Sequence, residues 1–159
     1  SARPSPAAES KILMRKLFVA ATTYMAAGLA AGLFYREFTK LNGFPDGGVT
    51  QLGGVHTHLL ALGTLVMLVV LALDRTVGLS SDRRFGWFFW VYNAGLVITA
   101  AMMTVHGMLT VLGQPSSAAI AGIAGIGHIL VAAGFVLLFV ILGAALRRES
   151  TAETTQPVA

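Results

Sequence analysis

Four apolar runs, 12–34, 52–73, 85–112 and 118–146, are separated by short polar turns, and each reaches the roughly 20 residues that cross the hydrocarbon core of a bilayer. Few folds are open to such a chain. Inside lipid every backbone polar group must be satisfied within the segment or by a closed barrel, and uninterrupted runs of this length are helical rather than alternating. The expected fold is therefore all-α: an integral membrane four-helix bundle, antiparallel and up-down. Composition agrees, because only 11% of the residues are charged, against about 25% in soluble domains. The ends, 1–11 and 147–159, are polar and rich in Pro, Ser and Thr, and are expected to be disordered tails around one transmembrane domain, 12–146. The first run, about 23 residues long and without a clear small-residue cleavage site, is taken as a span and not a signal peptide.

Charge orients the spans. Arg3, Lys11, Arg15, Lys16, Arg75, Arg83, Arg84, Arg147 and Arg148 fall on the side that holds both termini and the 74–84 turn, whereas Arg36 and Lys40 fall opposite. The positive-inside rule then places both termini in the cytoplasm. A prokaryotic plasma membrane is the expected location. The net charge of +4 and the pI near 10.0 belong to this belt and to the lipid surface it meets, not to a nucleic-acid partner. Trp87 and Trp90 at one end of the third run, with Phe34, Tyr35 and Phe38 at the far end of the first, fit an interfacial aromatic belt.

The chain has four histidines, and all fall within apolar runs. An ionisable side chain at membrane depth is costly and marks a functional site by default. At about 1.5 Å per residue, His56 and His58 lie about 6 and 9 Å from the outer end of their span, His106 about 9 Å and His128 about 15 Å from theirs. All four occupy the outer half. His56 and His58 leave one helix roughly 200° apart at about 100° per residue, so they suit two centres better than one. Each histidine also has a plainer reading, as a hydrogen bonder between helices. Gly122, Gly125 and Gly127, just before His128, either let helices pack closely or leave surface bare for a flat macrocycle. Met67, Met102, Met103 and Met108 read chiefly as filler, and Tyr92 and Asn93 as hydrogen bonders between helices.

Apart from Arg15 and Lys16 at the start of the first run, no Asp, Glu, Lys or Arg falls inside the four runs, and the chain has no cysteine. That excludes thiolate ligation and the carboxylates of a hard-cation or proton-coupled carrier. A nucleophilic or carboxylate-dyad enzyme has no constellation here either. Imidazoles between apolar walls remain, which suit heme iron in a helical bundle or a copper or zinc ion. His56, His58, His106 and His128 are the candidate cofactor and metal ligands. Heme, b-type, is the expected cofactor and copper the alternative.

The stretch His56-Thr57-His58-Leu59-Leu60-Ala61-Leu62-Gly63 resembles the signature helix of the heme-copper oxidase catalytic subunit, in which a His-x-His pair serves two hemes on opposite faces. Asn93, His106 and Gly113-Gln114-Pro115 follow in an order similar to that family's next helix, and 122–139 is similar to the small-to-apolar helix after it. The resemblance spans 53–146, with only the His-x-His segment specific. A full oxidase subunit has many more spans, a further histidine helix, a copper-binding histidine cluster and often a crosslinked Tyr, none with a counterpart here. The resemblance thus implies a heme protein for electron transfer or for binding O2 or NO, without a complete catalytic constellation in one chain. Because the family is built as three similar four-helix arcs, it further implies a homo-oligomer, specifically a homotrimer with His56 and His58 at intersubunit pockets. The alternative is a copper-binding or structural accessory subunit of a respiratory membrane complex.

Overall fold

A computed structural model describes the backbone over 6–154 and side chains over 11–151. Among the described residues the chain is helical, without strands. The helices are α1 (Pro6–Leu41), α2 (Leu52–Val77), α3 (Phe85–Val111) and α4 (Ala118–Thr154). All four are long and apolar enough to cross a membrane. Their outward positions carry Phe18, Leu33, Ile129, Val136 and Phe139, which stay exposed on the isolated chain. Such faces are stable only against an apolar surrounding, which a bilayer supplies.

Two helices run into the segments expected as tails. Helix α1 begins at Pro6, where a missing N–H costs nothing in the first turn. Helix α4 continues through Arg147 and Arg148 to Thr154; Arg147 donates its Nε–H to the Gly143 carbonyl at 3.2 Å, and Ser150 donates its hydroxyl to the Arg147 carbonyl at 3.0 Å. Residues 1–5 and 155–159 lie outside the described residues. Helix α2 likewise extends beyond residue 73 and ends at Gly78, whose φ of 64° closes the last turn in the left-handed region.

Helix α1 packs on α2, α2 on α3, and α3 most extensively on α4. Among the described residues α1 and α4 share no extended interface, nor do α1 and α3. The α3–α4 seam is set by glycines. A Cβ on Gly95 would lie 2.6 Å from the Val131 nitrogen, and one on Gly127 would lie 2.9 Å from the Thr99 nitrogen, so the two backbones approach as in small-residue membrane seams. Tyr92, Leu96 and Phe88 on α3 are fully buried, with Met67 and Val70 of α2, Leu17 of α1 and Ile141 of α4. Tyr92 also meets Phe135 edge-on at 5.1 Å between ring centroids. These contacts tie the helices into one core.

Both ends of the molecule are defined by contacts. The start of α1 (Ile12, Leu13, Lys16) lies beside Ser80, Asp82 and Arg83 of the α2–α3 turn, and Arg148 of α4 is close enough to act on Asp82. At the other end, Thr50 donates its hydroxyl to the Gly107 carbonyl at 2.9 Å, fastening the α1–α2 turn to α3.

Candidate functional site

Helix α2 is not uniform. An α-helical start, Leu52–His58, gives way to a π-helical stretch, Leu59–Leu65, before α-helix resumes at Val66–Val77. The wide turn begins directly after the His-x-His pair, and π-turns in α-helices are frequently found at functional sites. Its cause is visible in its neighbours. The Tyr24 ring sits where a Gly63 Cβ would be, at 2.5 Å. Tyr92 donates its hydroxyl to the Leu62 carbonyl at 2.9 Å. Thr64 reaches back to the Leu59 carbonyl and across to Ala21 of α1, both at 3.4 Å. Side chains from α1 and α3 therefore hold the turn open from two directions.

The two histidines above this turn face different neighbours. His56 packs toward α1, where a Cβ on Gly32 would lie 3.7 Å from the His56 Cβ. His58 lies over Gly54, beside the tip of Met103 from α3. Between them Thr57 is exposed, and Ala61 and Leu65 continue an open strip below it. The rings thus flank one outward face, as their spacing requires.

Hydrogen bonding divides the four histidines into two kinds. His58 Nδ1 lies 2.9 Å from the Gly54 carbonyl, and His128 Nδ1 lies 2.9 Å from the Ala124 carbonyl. A carbonyl can only accept, so Nδ1 is the donor in both rings, and in the neutral tautomer this leaves the lone pair on Nε2. Ligating histidines are commonly oriented in this way, with the second nitrogen held by a backbone carbonyl. His56 Nδ1 and His106 Nδ1 are instead buried without a partner; Thr99 Oγ1 is the other such side-chain atom among the described residues. A buried unpaired polar atom costs about 1–3 kcal/mol, so both Nδ1 atoms are left short of a partner, although His56 Nε2 lies 3.4 Å from Thr57 Oγ1.

Among the described residues no three of the histidines converge, and no three His, Asp or Glu side chains gather to hold a metal ion. His128 is exposed on the outer face of α4, and no side chain or neighbouring backbone lies within 4 Å of a Cβ at Gly122 or Gly125. Gly127 differs, because it packs against α3. Of the three glycines before His128, then, one serves helix packing and two leave helix surface bare. Trp87 and Trp90 are 71% and 66% exposed, consistent with an interfacial position.

Two features escaped the sequence. Asp74, on the added turn of α2, is only 6% exposed and accepts the Ser80 amide at 2.6 Å, which folds the turn over the fully buried Leu79. Tyr24 donates its hydroxyl to Asn93 Oδ1 at 2.6 Å and joins α1 to α3. The roles of Tyr92 and Asn93 as bonders between helices agree with the sequence.

The family model described as protein of unknown function DUF2871 matches residues 14–145. The chain belongs to this family. The DUF2871 match runs from the first turns of α1 to the last apolar turns of α4, so all four helices and all four histidines fall inside it. No curated protein and no solved structure matches the chain.

Proposed function

We propose that this DUF2871 protein is a membrane heme-binding protein for electron transfer or for binding a diatomic gas such as O2 or NO. One observation carries the reading: His58 and His128 each have Nδ1 committed to a carbonyl, leaving Nε2 to ligate. Single imidazoles beside bare apolar helix surface suit a planar macrocycle, which takes one or two axial ligands. A copper or zinc ion held by histidines alone needs several converging on one point, and the described residues offer no such group. Without cysteine there is no thioether attachment, which leaves a non-covalent, b-type group.

His56 and His58 are assigned to different pockets, and His106 and His128 supply the remaining candidate ligands. Bound through these rings, heme would supply a one-electron centre, or a seat for a gas if one axial position stays open. The chain's own part is to orient each imidazole and keep water from it. The exposed position of His128 and the open strip beside His56 and His58 favour assembly with further copies, a homotrimer, over a closed single bundle. The basic residues gathered where α1 starts and α4 ends support an antiparallel, up-down arrangement with both termini cytoplasmic.

A reduced-minus-oxidised absorption spectrum of the purified protein tests the reading. A Soret shift and an alpha band are expected. A colourless protein with stoichiometric copper or zinc overturns it, and one with neither metal leaves a structural accessory role. Native mass measurement showing only monomers overturns the trimer.

A further inference from the structure

Between the starts of α1 and α3 lies a groove of about 490 Å³, within the roughly 300–1,000 Å³ range of small-molecule sites. Its walls are almost wholly apolar, formed by Val19 on α1 and by Phe89 and Trp90 on α3. The far end is polar, where Asn93 accepts the Tyr24 hydroxyl in the bond that joins the two helices. The mouth carries Arg15 and Lys16. Neither cation has an ion-pair partner among the described residues. Asp82 lines a neighbouring depression with Lys16, but its carboxylate is held by Arg84 at 2.8 Å.

We infer that this groove binds an anionic phospholipid, with the phosphate on Arg15 and Lys16 and an acyl chain lying between α1 and α3. Three observations select this occupant. The apolar walls need a hydrocarbon body, which a free anion lacks. Two unpaired cations at the end of such a groove match a phosphate, and basic pockets between membrane helices bind anionic headgroups. A zwitterionic headgroup would bring a quaternary amine to a mouth where the carboxylate of the neighbouring depression, Asp82, is already held by Arg84. Helices α1 and α3 share no extended interface of their own, so the lipid would fill the space between them and brace α1 against the core.

The test uses the full chain, purified in detergent, stripped of lipid and examined by native mass spectrometry. The probes are phosphatidylglycerol, phosphatidylcholine, inorganic phosphate and a neutral quinone, each added alone. Phosphatidylglycerol is expected to be retained in preference to phosphatidylcholine by about tenfold or more, from two cations acting together. The preference should vanish in R15Q/K16Q and persist in R147Q/R148Q, which removes equal charge elsewhere. Val19→Trp, which fills the groove and keeps its charge, should also abolish retention, with helicity checked by circular dichroism in every variant. Equal retention of the two lipids overturns the assignment. So does an equal loss in R147Q/R148Q, binding of inorganic phosphate as tight as that of the lipid, or stronger retention of the quinone.

Discussion

Tyr92 of α3 donates its hydroxyl to the carbonyl of Leu62, in the middle of the π-turn beneath His56 and His58. The bond ties the histidine-bearing end of α2 to a fully buried residue of α3. Tyr92→Phe keeps the ring packing and removes only the donor, so a loss of about 0.5–1.5 kcal/mol is expected. Thermal unfolding in detergent should show it. Amide exchange should quicken around Leu62, and a uniform change along α2 would argue against a local role.

The glycine seam predicts a contrast between two alanine substitutions. Gly95→Ala drives a methyl against the α4 backbone at Val131 and Gly127, which no rotamer change can relieve, and should cost about 1–3 kcal/mol. Gly122→Ala meets nothing within 4 Å and should stabilise α4 by up to about 1 kcal/mol through helix propensity. Denaturant titration of both variants checks the pair. Equal effects would mean that α3 and α4 do not meet along this line.

His56→Ala and His58→Ala should not behave alike. Because the rings face α1 and α3 respectively, the proposed heme reading requires that each substitution remove a different component of a heme spectrum and that the double variant lose both. Heme content per chain and band positions are the measurements. Identical spectra from the two single variants would point to one shared pocket.

The α2–α3 turn carries an acid-sensitive contact. The Arg84 guanidinium and amide, hydrogen-bonded to Asp82, hold its carboxyl at about 2, down from 3.8. A depressed carboxyl stabilises the fold above the unfolded value, and that contribution fades as pH falls from about 4 towards 2. With Arg84 half-exposed, solvent screening keeps this contribution small. Melting temperature measured against pH should fall over this acid range in the parent and fall less in Asp82→Asn.

Much of the fold is legible because hydropathy alone dictates it. The runs around Met67, Leu96 and Ile141 are too long and apolar for any element but a helix. The divergence of His56 and His58 follows from helical geometry and needs no partner to be predicted. What escaped depends on tertiary contact. The π-turn arises where Tyr24 presses on Gly63 and Tyr92 takes the Leu62 carbonyl, and neither tyrosine is near that turn in sequence. Asp74 reads as a loop residue until the Ser80 amide turns back to it. The glycines before His128 look equivalent in sequence, yet Gly127 meets α3 while Gly122 and Gly125 stay open. Helix ends rich in Ala, Glu and Arg resemble tails by composition while keeping good helix propensity.

The π-turn at Leu59–Leu65 also fixes how this helix can be compared with others. Relative to an unbroken α-helix it inserts about one residue, which turns everything after it by about 100°. A helix without the insertion can share the histidine face or the Met67–Val70 face with this one, but not both in a single ungapped alignment. Ancestry traced through α2 therefore needs a gap in mid-membrane, where alignments by hydropathy seldom open one.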